Sequence, residues 1–289
     1  MPDEDLSTLT DVERFALGFA GWMNGSLRRN QVRHWINTNI HRRILTLLTG
    51  RRIHLVGIEK MRTLRPDRGV LIASNHRSFL DQYITGSYLY QNVSHWKQFF
   101  FPVRSGFWYE TRLGVLLNLL VSTSSMFPPI FRAREKRGVT RVGLRWLADK
   151  LANPNTLVGI HPEGTRSNKE DPYELLPAEP GFGRVVLQSR PIVVPIFANG
   201  MGNNAANELK QNFLPNGRPV IIVYGDPVDY SEFDGEDPTL LRNQVKVGRK
   251  VLAEVAKLAE VERALRHQLR PGSVKPPSEL SRESQTGSV

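Results

Sequence analysis

Apolar residues in this chain keep two different rhythms. Val32, Ile36, Ile40, Ile44 and Leu48 recur every four residues, with Trp35 beside them. That is the period of an amphipathic helix. Phe15, Phe19, Trp22 and Met23 predict a shorter helix before it. Beyond residue 50 the pattern changes. "RIHLVGI", "GVLIAS", "FFFPV", "TLVGI" at 156–160, "PIVVPIF" at 191–197 and "PVIIVYG" at 219–225 are short β-rich runs. Between them, Phe79 to Tyr90, Phe107 to Leu120 and Gly138 to Leu151 carry helical spacing, and "MFPPIF" is extended because proline is excluded from a helix interior. A long helix holds Leu241, Val245, Val251, Leu252, Val255, Leu258 and Leu265. Strands alternating with helices predict an α/β fold: a mixed, largely parallel central sheet flanked by helices, with an N-terminal amphipathic helical arm. The expected divisions are 1–50 for the arm, 51–270 for the α/β domain and 271–289 for a disordered tail poor in apolar residues.

Charge changes the picture of the arm. The 289 residues carry a net charge of +11, so an anionic partner is expected. From Arg14 to Ile58 there are eight arginines and no acid. An apolar stripe with tryptophan, flanked by arginine, fits a helix lying on an anionic membrane surface; a helix packed on its own domain with a solvated basic edge is the plainer alternative. The acidic start "MPDEDLSTLTDVE" is unlike a basic signal-peptide n-region. The longest apolar run, "LGVLLNLLVST", is too short to span a bilayer. The expected location is therefore peripheral, on the cytoplasmic face of a membrane. The chain has no cysteine, which excludes disulfides, thiolate metal sites and a cysteine nucleophile.

The chemistry gathers at strand ends. In "LIASNHRSFLD" an apolar run closes on His76, and Asp81 follows five residues later. With His76 in the turn and Asp81 one turn into the next helix, the two can meet. A carboxylate on one imidazole nitrogen fixes the tautomer and leaves the other as a base. An H-x4-D pair alone is more often a surface histidine and an unrelated helical aspartate, so the pair needs company. It has it in "HPEGTRS", which follows "TLVGI" and so lies beyond another strand end. Glu163, Gly164, Thr165 and Arg166 form a plausible anion cradle there, with glycine for a tight turn and a guanidinium fork for phosphate; an ordinary polar turn is the alternative.

In order along the chain, "VGIEKM", "NHRSFLD", "FPPIFR", "PEGTRS" and "PIVVPIFANG" resemble the motifs of the glycerolipid acyltransferase superfamily, of the 1-acylglycerol-3-phosphate acyltransferase type. The resemblance covers about two thirds of the chain. It implies transfer of a fatty acyl group from an acyl thioester, acyl-CoA or acyl carrier protein, to a hydroxyl of a lysophospholipid or glycerol-phosphate-type acceptor. It implies His76 as general base with Asp81 orienting it. It further implies that Glu163, Gly164, Thr165 and Arg166 hold the acceptor's phosphate, with Arg132 and Arg104 helping. No cofactor is implied beyond the acyl donor. Direct attack of the alcohol on the thioester needs no covalent intermediate, in keeping with the absence of cysteine and of a G-x-S-x-G elbow.

Three departures bear on the acceptor: the second motif lacks its opening glycine, residue 161 is histidine where phenylalanine is usual, and no spanning segment precedes the first motif. Other signals are weaker. "GFGRVV" lacks the third glycine of a dinucleotide fingerprint and reads as a turn into a helix. His161 and Glu163 have the H-x-E spacing of zinc deaminases, but that site needs cysteines. The basic segment holding Arg132, Arg134, Lys136, Arg137, Arg141 and Arg145 is open between a solvated face, a phosphate or membrane contact and a nucleic-acid patch. The basic residues are not interleaved with aromatics on one face, so no nucleic-acid partner is expected. A catalytically idle lipid- or acyl-carrier-binding protein of the same fold is the rival reading. It has no need of a base.

Overall fold

The computed structural model describes residues 7–269; the expected tail at 271–289 lies outside them. Six strands form the sheet: β1 (Ile53–Val56), β2 (Val70–Ser74), β3 (Gln98–Phe100), β6 (Thr156–Ile160), β7 (Ile192–Asn199) and β8 (Val220–Tyr224), in the order β1-β8-β7-β2-β6-β3. A small separate pair joins β4 (Val103–Arg104) to β5 (Pro129–Ile130). Only β7 and β8 run antiparallel; the other neighbours in the large sheet are parallel. The mixed, largely parallel sheet read from the sequence is what the chain forms.

Central β2 explains why. Val70, Leu71, Ile72 and Ala73 are all fully buried, as a strand covered on both faces requires. Successive side chains alternate faces. Val70 and Ile72 enter one core with Ile84, Leu89, Trp96 and Phe99. Leu71 and Ala73 enter the other with Phe182, Val186, Val247 and Val251. The first core is covered by α5 (Asp81–Asn92), the second by α9 (Pro180–Ser189) and α11 (Leu241–Gln268).

Two predicted elements are split. The "FFFPV" strand breaks into β3 and β4 at Pro102, which has no N–H for a ladder. The helix predicted from Phe107 to Leu120 is two, α6 (Ser105–Glu110) and α7 (Arg112–Ser122). Thr111 between them is extended, and its hydroxyl caps α7 by accepting from the Gly114 N–H at 2.9 Å. The remaining helices are α4 (Ile58–Thr63), α8 (Arg137–Lys150) and α10 (Ala205–Phe213).

The arm has the periodicity expected and an unexpected direction. It consists of α1 (Asp11–Asn24), α2 (Leu27–Ile36), a π-helical turn at Asn37–His41, and α3 (Arg42–Thr49). A reciprocal capping box between Thr10 and Glu13 starts α1. α1 buries Ala16, Leu17 and Ala20 against Tyr109, Phe127 and Phe131, but from its end onward the buried face is mostly polar: Asn24, Asn30, Arg33, Asn37, His41 and Thr49, with Leu45 the apolar exception on α3. The apolar stripe faces outward. Trp35 is 59 % exposed, Val32 53 %, Leu47 50 % and Ile40 46 %. Inward polar groups find partners on the body. Asn24 donates to the Ser124 carbonyl at 3.1 Å, and a nitrogen of His41 lies 3.0 Å from the Leu120 carbonyl. Arg33, counted in the sequence among the basic surface residues, is instead fully buried over the Phe100 ring, and burial pushes its guanidinium down to about 10. The outward face continues on α7, where Leu113, Leu116 and Leu120 are exposed. Among the described residues no helix is long and apolar enough to cross a membrane.

Candidate active site

Adjacent parallel strands β2 and β6, with Ala73 opposite Ile160, end side by side. The loop after each therefore meets the other, at the carboxyl end of the sheet where such folds place their sites. The two loops are stitched by backbone. Ser167 N–H donates to the His76 carbonyl at 2.8 Å, and His76 N–H donates to Glu163 Oε1 at 2.8 Å. Asn75 pins the first loop to β7, donating to the Ala198 carbonyl at 2.9 Å and accepting from its N–H at 2.8 Å.

His76 and Asp81 do meet. His76 Nδ1 stands 3.5 Å from Asp81 Oδ2, the outer limit of a hydrogen bond, with the imidazole 20 % exposed and the carboxylate 2 %. Asp81 opens α5, and the same oxygen accepts N–H groups of Arg77 and Ser78, each at 2.6 Å. These donors at a helix N-terminus hold the carboxylate in its ionised form, against burial, which pushes its acid up to about 6. Burial, with the charges of Arg166 and Arg104 nearby, drives His76 down to about 3, so its ring is neutral at neutral pH. A carboxylate only accepts, so Nδ1 carries the hydrogen and Nε2 is left with a lone pair.

Three arginines from three segments converge beside this pair. Arg104, from β4, donates to the Gly164 carbonyl at 3.2 Å. Burial lowers its pKa, and so does the proximity of Arg132 and Arg166. The β4–β5 pairing, with Arg104 opposite Ile130, brings Arg132 to that edge. Among the described residues none of the three makes an ion pair, although the nearby Glu179 carboxylate partly offsets the lowering at Arg104; positive charge is therefore in excess at this edge. Gly164 has φ of +58°, a left-handed turn that glycine adopts without strain, and a Cβ there would lie 2.6 Å from Glu179 Cγ.

The family model for acyltransferases matches residues 52–199, just over half of the chain and the whole of this constellation. The chain belongs to the acyltransferase family. Among solved structures it is similar to the crystal structure of the 1-acyl-sn-glycerophosphate (LPA) acyltransferase, PlsC, from Thermotoga maritima, at 18 % identity over 85 % of this chain and 87 % of that one, with a TM-score of 0.48. No curated protein matches the chain.

Within the acyltransferase, the predicted cradle residues do different things. Arg166 and Gly164 are exposed and Thr165 is half-buried. Glu163 is buried, and both its oxygens are occupied by backbone: His76 N–H on one, Leu176 N–H on the other at 2.7 Å. Its carboxylate therefore braces the His76 loop from inside. Three residues that sequence reasoning did not assign also support the site. Asn75 is one. Asn203 accepts from Arg166 at 3.1 Å and from the Phe79 N–H at 3.1 Å, tying guanidinium to helix entry. His161 stacks flat on His76, ring centroids 3.8 Å apart and planes 2° off parallel. Its Nδ1 faces the Ser74 carbonyl at 3.0 Å, so that nitrogen carries the hydrogen. The one advance signal was His161 itself, a histidine in place of the usual phenylalanine; the flat stack shows that it keeps an aromatic face at that position.

Proposed function

We propose that this acyltransferase moves a fatty acyl group from an acyl thioester, on coenzyme A or an acyl carrier protein, to a hydroxyl of a lysophospholipid or glycerol-phosphate-type acceptor. The observation that carries the reading is the juxtaposition of a neutral, carboxylate-oriented imidazole with three arginines that make no ion pair, Glu179 being a nearby acid that offsets them only in part. A base next to a phosphate-sized positive field selects a hydroxyl borne by a phosphorylated molecule.

In the proposed mechanism the acceptor's phosphate lies against Arg166, Arg104 and Arg132, which sets its hydroxyl at His76. Nε2 takes the hydroxyl proton as the oxygen attacks the thioester carbonyl. Asp81 stabilises the imidazolium that forms. The tetrahedral intermediate collapses, the carbon–sulfur bond breaks, and the thiolate leaves with the proton held by His76. Ester and free thiol are the products, and the enzyme returns to its starting state. A placed imidazole contributes roughly 10²–10⁴-fold to such a step.

The exposed stripe of Val32, Trp35, Ile40 and Leu47, continued by Leu113, Leu116 and Leu120, supports docking of the arm on an anionic membrane surface. Arg42 and Arg43 lie exposed beside the stripe and supply the electrostatic part. Mass spectrometry of products from mixed acyl-CoA species and a panel of lysophospholipids tests the reading. Ester products that vanish in His76→Ala support it. Absence of any acylated product with the wild-type protein, using either donor, refutes it.

A further inference from the structure

A second cluster of arginines lies outside the constellation around His76. On α8, Arg137, Arg141 and Arg145 fall at successive four-residue steps and share one helix face. Arg184 of α9 stands opposite them across a groove of about 260 Å³, which Gly181 and Gln188 also line. Among the described residues none of these four arginines has an ion-pair partner, and the groove lining contains no acid. Like charges four residues apart on one helix repel, and a fourth across the groove adds to the repulsion. The arrangement is unfavourable in the free protein and is relieved by a bound anion carrying more than one charge.

The groove leads to the catalytic loop. Gly181 follows Glu179 by two residues, and Glu179 donates its N–H to the Pro162 carbonyl at 2.8 Å, inside the "HPEGTRS" turn. From Gly181 to Gln188 the groove runs along α9 for about 10 Å, at 1.5 Å per residue. A thioester at His76 with a pantetheine arm can place its phosphates along that length. Four guanidinium forks suit phosphates, and a concave groove suits a phosphorylated small-molecule end, its phosphates inside and its base at the rim, better than it suits the convex face of a folded carrier.

We propose that the groove between α8 and α9 binds the phosphorylated nucleotide end of an acyl-coenzyme A donor, separately from the acceptor arginines 104, 132 and 166. This rests on the acyl-transfer reading above and names the donor for it.

The test compares wild type with Arg141→Gln, Arg184→Gln and the double variant, using acyl-CoA, the matching acyl-pantetheine, which lacks the nucleotide, and acyl carrier protein. Each substitution is expected to raise the KM for acyl-CoA about tenfold, as the loss of a charge-assisted contact implies. Acyl-pantetheine should show no matching rise, nor should the acceptor's KM. Lysine at either position should recover part of the loss. Calorimetry with free coenzyme A reads the groove without turnover, and Kd should weaken about tenfold in each variant. An unchanged coenzyme A affinity overturns the proposal. So does a KM rise that is equal for acyl-CoA and acyl-pantetheine, or one confined to acyl carrier protein. If the wild type transfers no acyl group yet binds coenzyme A through these arginines, the reaction assigned above fails while the site stands.

Discussion

The sheet and the arm are built inside out relative to each other. In β2 and its neighbours the apolar residues point in and polar groups appear only where the strands end. From α2 through the π-helical turn to α3 the buried face carries Asn30, Arg33, Asn37, His41 and Thr49 beside the single apolar Leu45, while Val32, Trp35, Ile40 and Leu47 look out. Both obey the same rule, that each side chain faces a medium suited to it. The sheet's apolar residues meet protein, and those of the outward stripe meet none of this chain. The difference teaches that amphipathic period identifies a helix and leaves open which face is the inner one.

The largest effect expected from breaking the comparison is at the strand ends. His76→Ala should lower kcat/KM by roughly 10²–10⁴-fold with only a small drop in melting temperature, because the ring lies outside both apolar cores and gives up mainly its stack on His161. Activity assays beside calorimetric melting check both halves.

Next come the two faces of the arm. Replacing Trp35 and Ile44 together by aspartate should weaken vesicle binding by about a hundredfold or more, as roughly 1.5–3 kcal/mol attaches to each large apolar side chain that a surface buries. Stability should stay within about 0.5 kcal/mol of wild type. Leu45→Ala, on the opposite face and fully buried, should reverse this pattern and cost about 2–5 kcal/mol of stability. Vesicle flotation and urea unfolding on the same variants compare them. Equal vesicle binding by the aspartate variant would remove the membrane role of the arm.

A smaller change is expected at the acceptor arginines. Arg166→Ala should raise the acceptor's KM about tenfold, and lysine should restore only part, since the fork is lost. An acceptor lacking phosphate should be indifferent to the substitution.

The smallest effect is a pH limb. Asp81 must be ionised to hold the Nδ1 hydrogen of His76, and burial places its acid at about 6. Protonation below that pH loosens the ring, so kcat/KM should fall as pH drops through about 6, to half at the midpoint, and be level above about 7. His76, pushed down to about 3, adds no limb in that range. Asp81→Asn should lose the limb along with much of the activity.

Much of this was legible in the sequence because polar clusters follow apolar runs. "GVLIAS" before "NHRSFLD" and "TLVGI" before "HPEGTRS" place both loops at strand ends without further information. The convergence of Arg104 and Arg132 was suggested only by resemblance, since it depends on the short pairing of β4 with β5. Glu163 could not be distinguished from a ligand-binding acid in advance, because its partners His76 and Leu176 are remote in sequence. Helix α10, "AANELKQNF", was not recognised, having too few apolar residues to set a period.

That helix links regions otherwise far apart along the chain. Near its carboxyl end Asn212 accepts the Arg51 N–H at 2.9 Å and donates to the Leu47 carbonyl at 2.8 Å, gripping the end of the arm. Nearer its start, Glu208 pairs with buried Arg52 and accepts the Gly202 N–H at 2.9 Å, next to the Asn203 that steadies Arg166. The two attachment points, Glu208 and Asn212, are four residues or about 6 Å apart on one helix, which thus joins the arm to the segment that holds Arg166. A tilt of the arm would reach Arg166 through a stiff rod instead of being lost in a slack tether, so the two ends of the molecule are geared to each other by one short helix.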